Sequence, residues 1–191
     1  MNPQIEAALA LHTFFLESLE LNYAVIGGIA LQFWGEPRFT HDLDITVEDR
    51  LELSELVQRV TERFGSRVSD PYKFVRDTRM LLLHVEGVDV DVALALRGYE
   101  DSLFERVREI EIEPGKRLRI ASAEDLIIHK SLAGRPQDLH DIEGVIIRQG
   151  EQLDARYIRS WLRRFAEALD ESEILDRFER AYARCRNQTA D

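Results

Sequence analysis

Hydrophobic positions along the chain recur first at a helical period and then at a strand period. Ile5, Leu9, Phe15, Leu16 and Leu19 fall near one face of a helix over 3–20. The apolar run at 22–26 (NYAVI) reads as a short buried strand, which Gly27-Gly28 interrupts. A short helix over 29–34, a loop at 36–38, a strand over 42–47 and a helix over 51–64 follow. RMLLLHV (79–85) and VDVDVALAL (88–96) read as two strands of a hairpin around Glu86-Gly87. A helix over 100–106 precedes strands at 107–112 and 117–120, which flank Pro114-Gly115. From Ser122 the period is helical to the end. Ser122 suits an N-cap with Asp125 in the first turn, Pro136 suits the first turn of the next helix, Asp154 caps another, and a last helix covers 172–186. The pattern predicts a mixed α/β (α+β) chain: a mixed sheet flanked by helices over 1–121, and a helical C-terminal part over 122–191 packed on that core.

Two polar positions break the apolar logic of the strand at 42–47. In HDLDITV, Leu43, Ile45 and Val47 share one face, and Asp42, Asp44 and Thr46 share the other. Aspartate is a poor strand former, and two anions this close repel each other unless a cation lies between them. Mg²⁺ takes oxygen ligands and is usually held by one or two carboxylates together with substrate phosphates. VDVDVALAL repeats the device, with Asp89 and Asp91 opposite Val88, Val90 and Val92. If that strand pairs beside 42–47, a third carboxylate, Asp91 or Asp89, joins the first two. Three carboxylates can hold two ions roughly 3.5–4 Å apart, an arrangement suited to in-line phosphoryl transfer. The competing reading is the solvated face of an antiparallel sheet. Gly27-Gly28 lies between a strand and a helix, where backbone can approach closely and N–H groups can face phosphate.

Composition narrows the partners. The net charge of −11 makes the chain a poor general nucleic-acid binder, although a local basic patch could serve one RNA. The single cysteine, Cys185, excludes a disulfide within the chain and fits a reducing cytoplasmic setting. The N-terminal segment has no basic stretch of the signal-peptide kind, and the longest uncharged run, 21–35, falls short of the roughly 20 residues a membrane helix needs. His41 and His129 lack metal-ligand spacing and read as surface or loop residues. Arg156, Arg159, Arg163 and Arg164 read as a solvated helix face, with an RNA-contacting edge as the alternative.

The order of these elements resembles the DNA-polymerase-β-type nucleotidyltransferases, whose pattern is hG[GS], then Dh[DE]h, then h[DE]h. Gly27-Gly28 matches the first element, Asp42-Leu43-Asp44-Ile45 the second and Val90-Asp91-Val92 the third, with Asp89 as the alternative. GEPRFTHDLDI is similar to the R-x-T-x-D-h-D segment of the AbiEii-type, toxin-like branch. Lys130, Arg135, Asp138 and Asp141 match its downstream block of a helical lysine followed by R-x-x-D-x-x-D-I. The resemblance implies a nucleotidyltransferase fold and Mg²⁺-dependent transfer of a nucleoside monophosphate from an NTP to a hydroxyl of RNA, tRNA or protein, with an antitoxin protein as a partner. It implies Asp42, Asp44 and Asp91 as metal ligands and catalytic residues, and substrate contacts from Gly27, Gly28, Thr40, Lys130, Arg135 and Asp138. Lys130 is unusual in its own right, because it falls within about 40° of Leu126 on a helical wheel and so inside an apolar arc. An inward lysine needs an anion or a route to water. A triphosphate is one such anion, and a lysine snorkelling to the surface is the competing reading. Asp138 and Asp141 either position the acceptor or pair with Lys130 and Arg135 as a structural ion pair. The rival functions are a nucleotide- or partner-binding module without chemistry and a small-molecule transferase of the antibiotic-modifying type.

Overall fold

The computed structural model describes residues 2–96 and 98–188, with side chains described through 186. The chain divides into two compact units: residues 1–29 with 39–121, and residues 30–38 with 122–191.

The first unit is built on a mixed six-stranded sheet. Its strands are β1 (Tyr23–Val25), β2 (Asp42–Val47), β3 (Met80–Val85), β4 (Val88–Leu94), β5 (Arg108–Glu113) and β6 (Lys116–Ile120), in the spatial order β3-β4-β2-β1-β6-β5. β2 runs parallel to β4 and β1 parallel to β6; the other neighbours are antiparallel. The β3–β4 hairpin turns through Glu86 (φ 51°) and Gly87 (φ 81°), the left-handed pair that matches the twist of its strands. Alternation delivers one face of the central strands to the core. Leu43, Ile45, Val47, Val90 and Val92 are fully buried, and so is Thr46 nearly so, on the polar face.

Helix α1 (Pro3–His12) starts at Asn2, whose side chain accepts from the Gln4 N–H, and continues into a π-helical turn, Thr13–Ser18. Helix α2 (Gly27–Trp34) begins at the glycines themselves, two residues earlier than the apolar pattern suggests. Helix α3 (Leu53–Phe64) buries Leu56, Val57 and Val60. Helix α4 (Pro71–Thr78) has no counterpart in the sequence reading. Asp70 caps it by accepting from the Lys73 N–H at 3.0 Å, and Pro71 occupies its first turn. Arg79, assigned to a strand by its apolar neighbours, instead ends α4 in the left-handed region (φ 59°). Helix α5 (Tyr99–Arg106) leads into the β5–β6 hairpin.

The second unit holds α6 (Ala123–Ala133), α7 (Pro136–Gln149), α8 (Ala155–Leu169) and α9 (Glu173–Gln188). Ser122 caps α6 by accepting from Asp125 N–H, and Asp154 caps α8 by accepting from the Arg156 and Tyr157 N–H groups. Ile127, Ile142, Val145, Ile158, Leu162 and Phe178 form its fully buried centre. Buried acids here are hydrogen-bonded: Asp125 accepts from the Tyr157 hydroxyl at 2.8 Å, and Glu124 from the Asp154 N–H at 3.0 Å. Cys185 on α9 is 5% exposed and lies 3.8 Å from the Glu143 carbonyl of α7. Arg159 pairs with Glu179 at 2.7 Å and lies over the Phe178 and Tyr182 rings, so it is engaged within its own unit. Among the described residues no helix is long and apolar enough to cross a membrane.

Candidate active site

The parallel pairing of β2 with β4 sets Asp42 opposite Asp89 and Asp44 opposite Asp91. Four carboxylates therefore belong to one face of two adjacent strands, while their apolar neighbours fill the core. Asp42 and Asp89 are exposed; Asp44 and Asp91 are half-buried.

Gly27 and Gly28 meet this face through close packing. Gly27 has φ +61°, and a Cβ placed on it would lie 2.7 Å from Asp44 Cγ and 2.8 Å from its Cβ. No side chain fits there without displacing the carboxylate. A Cβ on Gly28 would lie 2.8 Å from both Thr40 Cβ and Oγ1. The Thr40 hydroxyl in turn donates to Asp42 Oδ1 at 2.7 Å, and the Thr40 carbonyl accepts from Gln4 Nε2 at 2.9 Å. The Ile26 N–H donates to the Asp44 carbonyl at 2.9 Å, which ties the glycine turn to β2. Glycines, threonine and paired aspartates thus form one packed arrangement.

A cavity of about 450 Å³ opens on the acidic face, lined by His41, Asp42, Arg67, His84, Asp89 and Asp91. Asp44 stands outside this lining, on the glycine side. Larger hollows of about 520 and 560 Å³ lie elsewhere, one beside Glu6, His12 and Lys116 and the other beside Ile146, Tyr182 and Cys185. Neither contains the glycines or the strand aspartates, so volume alone does not locate the chemistry.

Two residues that the sequence reading leaves out occupy the cavity. Arg67, in the segment between α3 and α4, forms an ion pair with Asp91, reaches Asp89 Oδ2 at 3.3 Å and donates to the Val90 carbonyl at 3.4 Å. His84 on β3 hydrogen-bonds Asp89 through Nδ1 at 2.9 Å. That bond, with the Arg67 charge adding to it, holds the Asp89 carboxyl below its ordinary value. Nothing in local periodicity marks Arg67, which lies on irregular backbone. His84 was legible in principle, since hairpin register sets it opposite Asp89.

Among the described residues no group of three or more His, Cys, Asp or Glu side chains is assembled as a cage for a metal ion. The donor set still fits Mg²⁺, because Asp42 and Asp44 supply the one or two carboxylates that this ion ordinarily takes alongside substrate phosphates.

Lys130, Arg135, Asp138 and Asp141 belong to the second unit, where they form a closed ion-pair network with Arg38. The buried Lys130 ammonium donates to Asp138 Oδ1 at 3.0 Å and to Asp141 Oδ2 at 2.5 Å. Arg135 adds a 2.8 Å bond to Asp138, and Arg38 grips Asp141 through Nε and Nη2, each at 3.1 Å. Burial pushes the Asp138 carboxyl up, but the hydrogen bonds and charges of Arg135 and Lys130 outweigh it and hold the group below its ordinary value. These distances support the ion-pair alternative for Lys130. His129, expected at the surface, is partly buried on α6, and burial pushes its ring down to about 4.

The chain belongs to the family described as nucleotidyltransferase of unknown function (DUF6036), whose model matches residues 6–189. Among solved structures, an antigenic nucleotidyltransferase-like protein from Paracoccidioides brasiliensis has a similar fold, with a TM-score of 0.55, 17% identity and coverage of 91% of this chain and 92% of that one. A candidate nucleotidyltransferase from Thermotoga maritima matches with a TM-score of 0.48, 19% identity and coverage of 86% and 96%. The antibiotic-resistance factor ANT(2'')-Ia matches with a TM-score of 0.46, 18% identity and coverage of 98% and 91%. No curated protein matches the sequence.

Proposed function

We propose that this protein transfers a nucleoside monophosphate from an NTP to a hydroxyl acceptor, with release of pyrophosphate. One observation carries the reading: the β2–β4 register gathers Asp42, Asp44 and Asp91 on the face against which Gly27 and Gly28 pack. In this reading Asp42 and Asp44 would hold Mg²⁺, with Asp91 or Asp89 as the further carboxylate that would complete the set. The metal supplies charge neutralisation of the phosphates and of the leaving pyrophosphate. Gly27 and Gly28 leave room for the Asp44 and Thr40 side chains, and the substrate phosphates would meet the backbone N–H groups at the start of α2. Thr40 orients the Asp42 carboxylate through its hydroxyl. Asp91 accepts the proton of the acceptor hydroxyl as that oxygen attacks the α-phosphorus.

The R-x-T-x-D-h-D segment and the Lys130–Asp141 block support a place in the AbiEii-type branch. There the acceptor is RNA, tRNA or protein, the setting cytoplasmic, and the partner an antitoxin protein. Substrate contact by Lys130, Arg135 and Asp138 rests on that resemblance alone. The second reading, a nucleotide- or partner-binding module without chemistry, draws on the ion pair that engages Asp91. A small-molecule acceptor is the third.

Purified protein, Mg²⁺, each α-labelled NTP and a cell lysate distinguish them. Label is expected in RNA or protein, and Asp44→Asn removes it. Label in small metabolites selects the antibiotic-type reading. Absence of label with every NTP overturns the enzyme reading in favour of a binding module.

A further inference from the structure

Arg67 is the cation of the acidic cavity. Its backbone N–H donates to the Leu82 carbonyl of β3 at 2.9 Å, so its segment is anchored to the sheet edge. From that anchor the guanidinium spans Asp91, Asp89 and the Val90 carbonyl along β4. Its side chain is 28% exposed and that of Asp91 34%, so both lie at the cavity wall and within reach of solvent. An arginine stays protonated throughout the working pH range. It cannot leave the site by losing its charge; it leaves only by moving.

A guanidinium and a divalent cation on the same carboxylate repel each other. Metal bound through Asp91 Oδ1, the oxygen that Arg67 engages, therefore competes with the guanidinium. The planar fork released from Asp91 matches phosphate oxygens bidentately. The triphosphate that accompanies the metal is an anion able to receive it.

We propose that Arg67 competes with the divalent cation for Asp91 in the free protein and transfers its guanidinium to the triphosphate when metal and nucleotide enter together. Arg67 is then a counter-ion gate: metal alone binds weakly, and metal with polyphosphate binds cooperatively. This rests on the nucleotidyltransferase reading above.

The test measures Mn²⁺ binding by electron paramagnetic resonance of the free ion, with and without inorganic tripolyphosphate. Arg67→Ala should bind Mn²⁺ alone about fivefold more tightly, the most that a half-exposed ion pair is ordinarily worth. The same variant should bind Mn²⁺·tripolyphosphate about tenfold more weakly, having lost a charge-assisted fork. Arg67→Gln, which keeps the stem and its packing, should behave alike and serves if the alanine variant unfolds. A variant with wild-type Mn²⁺ affinity and only a lowered melting temperature makes Arg67 a loop anchor and overturns the gate. Asp42→Asn and Asp44→Asn are measured in parallel. If they lose Mn²⁺ while Arg67→Ala matches wild type, the gate alone falls. If they too bind as wild type, the metal reading falls and the gate with it.

Discussion

Asp42 and Asp44 share a strand face but have different neighbours. Asp42 is exposed and oriented by the Thr40 hydroxyl; Asp44 is half-buried and packed on Gly27. Each should therefore fail in its own way. Asp44→Asn should lower NTP turnover by about 10²–10³, the scale of losing one electrostatic stabiliser, with the melting temperature little changed. Thr40→Val keeps the shape but removes the hydroxyl, leaving Asp42 free to rotate. A fall in kcat of about tenfold at a stability cost near 1 kcal/mol is expected, and steady-state kinetics beside thermal melts will show it. Gly27→Ala should do more than either to the fold, because a left-handed φ costs a non-glycine residue about 1–2 kcal/mol before the clash with Asp44 is counted. Denaturant titration measures that loss.

At the scale of elements, alternation and capping made most of the architecture legible. Leu43, Ile45 and Val47 on one face and two aspartates on the other follow from the period of two alone. Ser122, Pro136 and Asp154 mark helix starts by the chemistry of their side chains. Helix α4 escaped because eight residues with one buried apolar position, Val75, leave almost no periodic signal. Arg67 escaped for a related reason: its role depends on which strand lies beside its loop, a tertiary fact. The α6–α7 network carries two tests. Lys130→Met leaves two buried carboxylates with one arginine each, and removing a partner from a buried pair costs about 3–5 kcal/mol; the residual arginines place the expected loss at the low end, readable by denaturant titration. His129 is neutral in the fold down to about 4 but titrates near 6.5 when unfolded. The unfolded state therefore binds more protons between those values, and stability falls as pH drops through that window. Asp138, held low, adds a further loss only at more acidic pH, as its folded-state carboxyl is protonated. His129→Gln should shrink the loss in the first window to the part owed to His12, whose ring pKa burial also lowers, and leave the second, a difference that melts across pH will resolve.

The whole molecule carries a net charge of −11 and, in the proposed reaction, admits a polyanion. Long-range repulsion then slows nucleotide entry at low salt. Raising ionic strength from about 0.01 M to about 0.1 M shortens the Debye length from about 30 Å to about 10 Å, so the KM for NTP should fall over that range; a rise would mean that the local cationic groups dominate the approach. Charge, the strand aspartates and their glycines were all readable from sequence, whereas the closing of Lys130 into an ion-pair network required the α6–α7 geometry. Cys185 is the chain's single thiol, and burial with the nearby Glu143 charge pushes its pKa up. In the folded protein it is 5% exposed, packed against α7 at the edge of the hollow of about 560 Å³. Separation of α9 from α7 would expose it further, so thiol modification faster than the slow native rate reports openings of that helix pair. The molecule thus contains its own stopwatch for local unfolding, readable with a chromogenic disulfide and no engineered label.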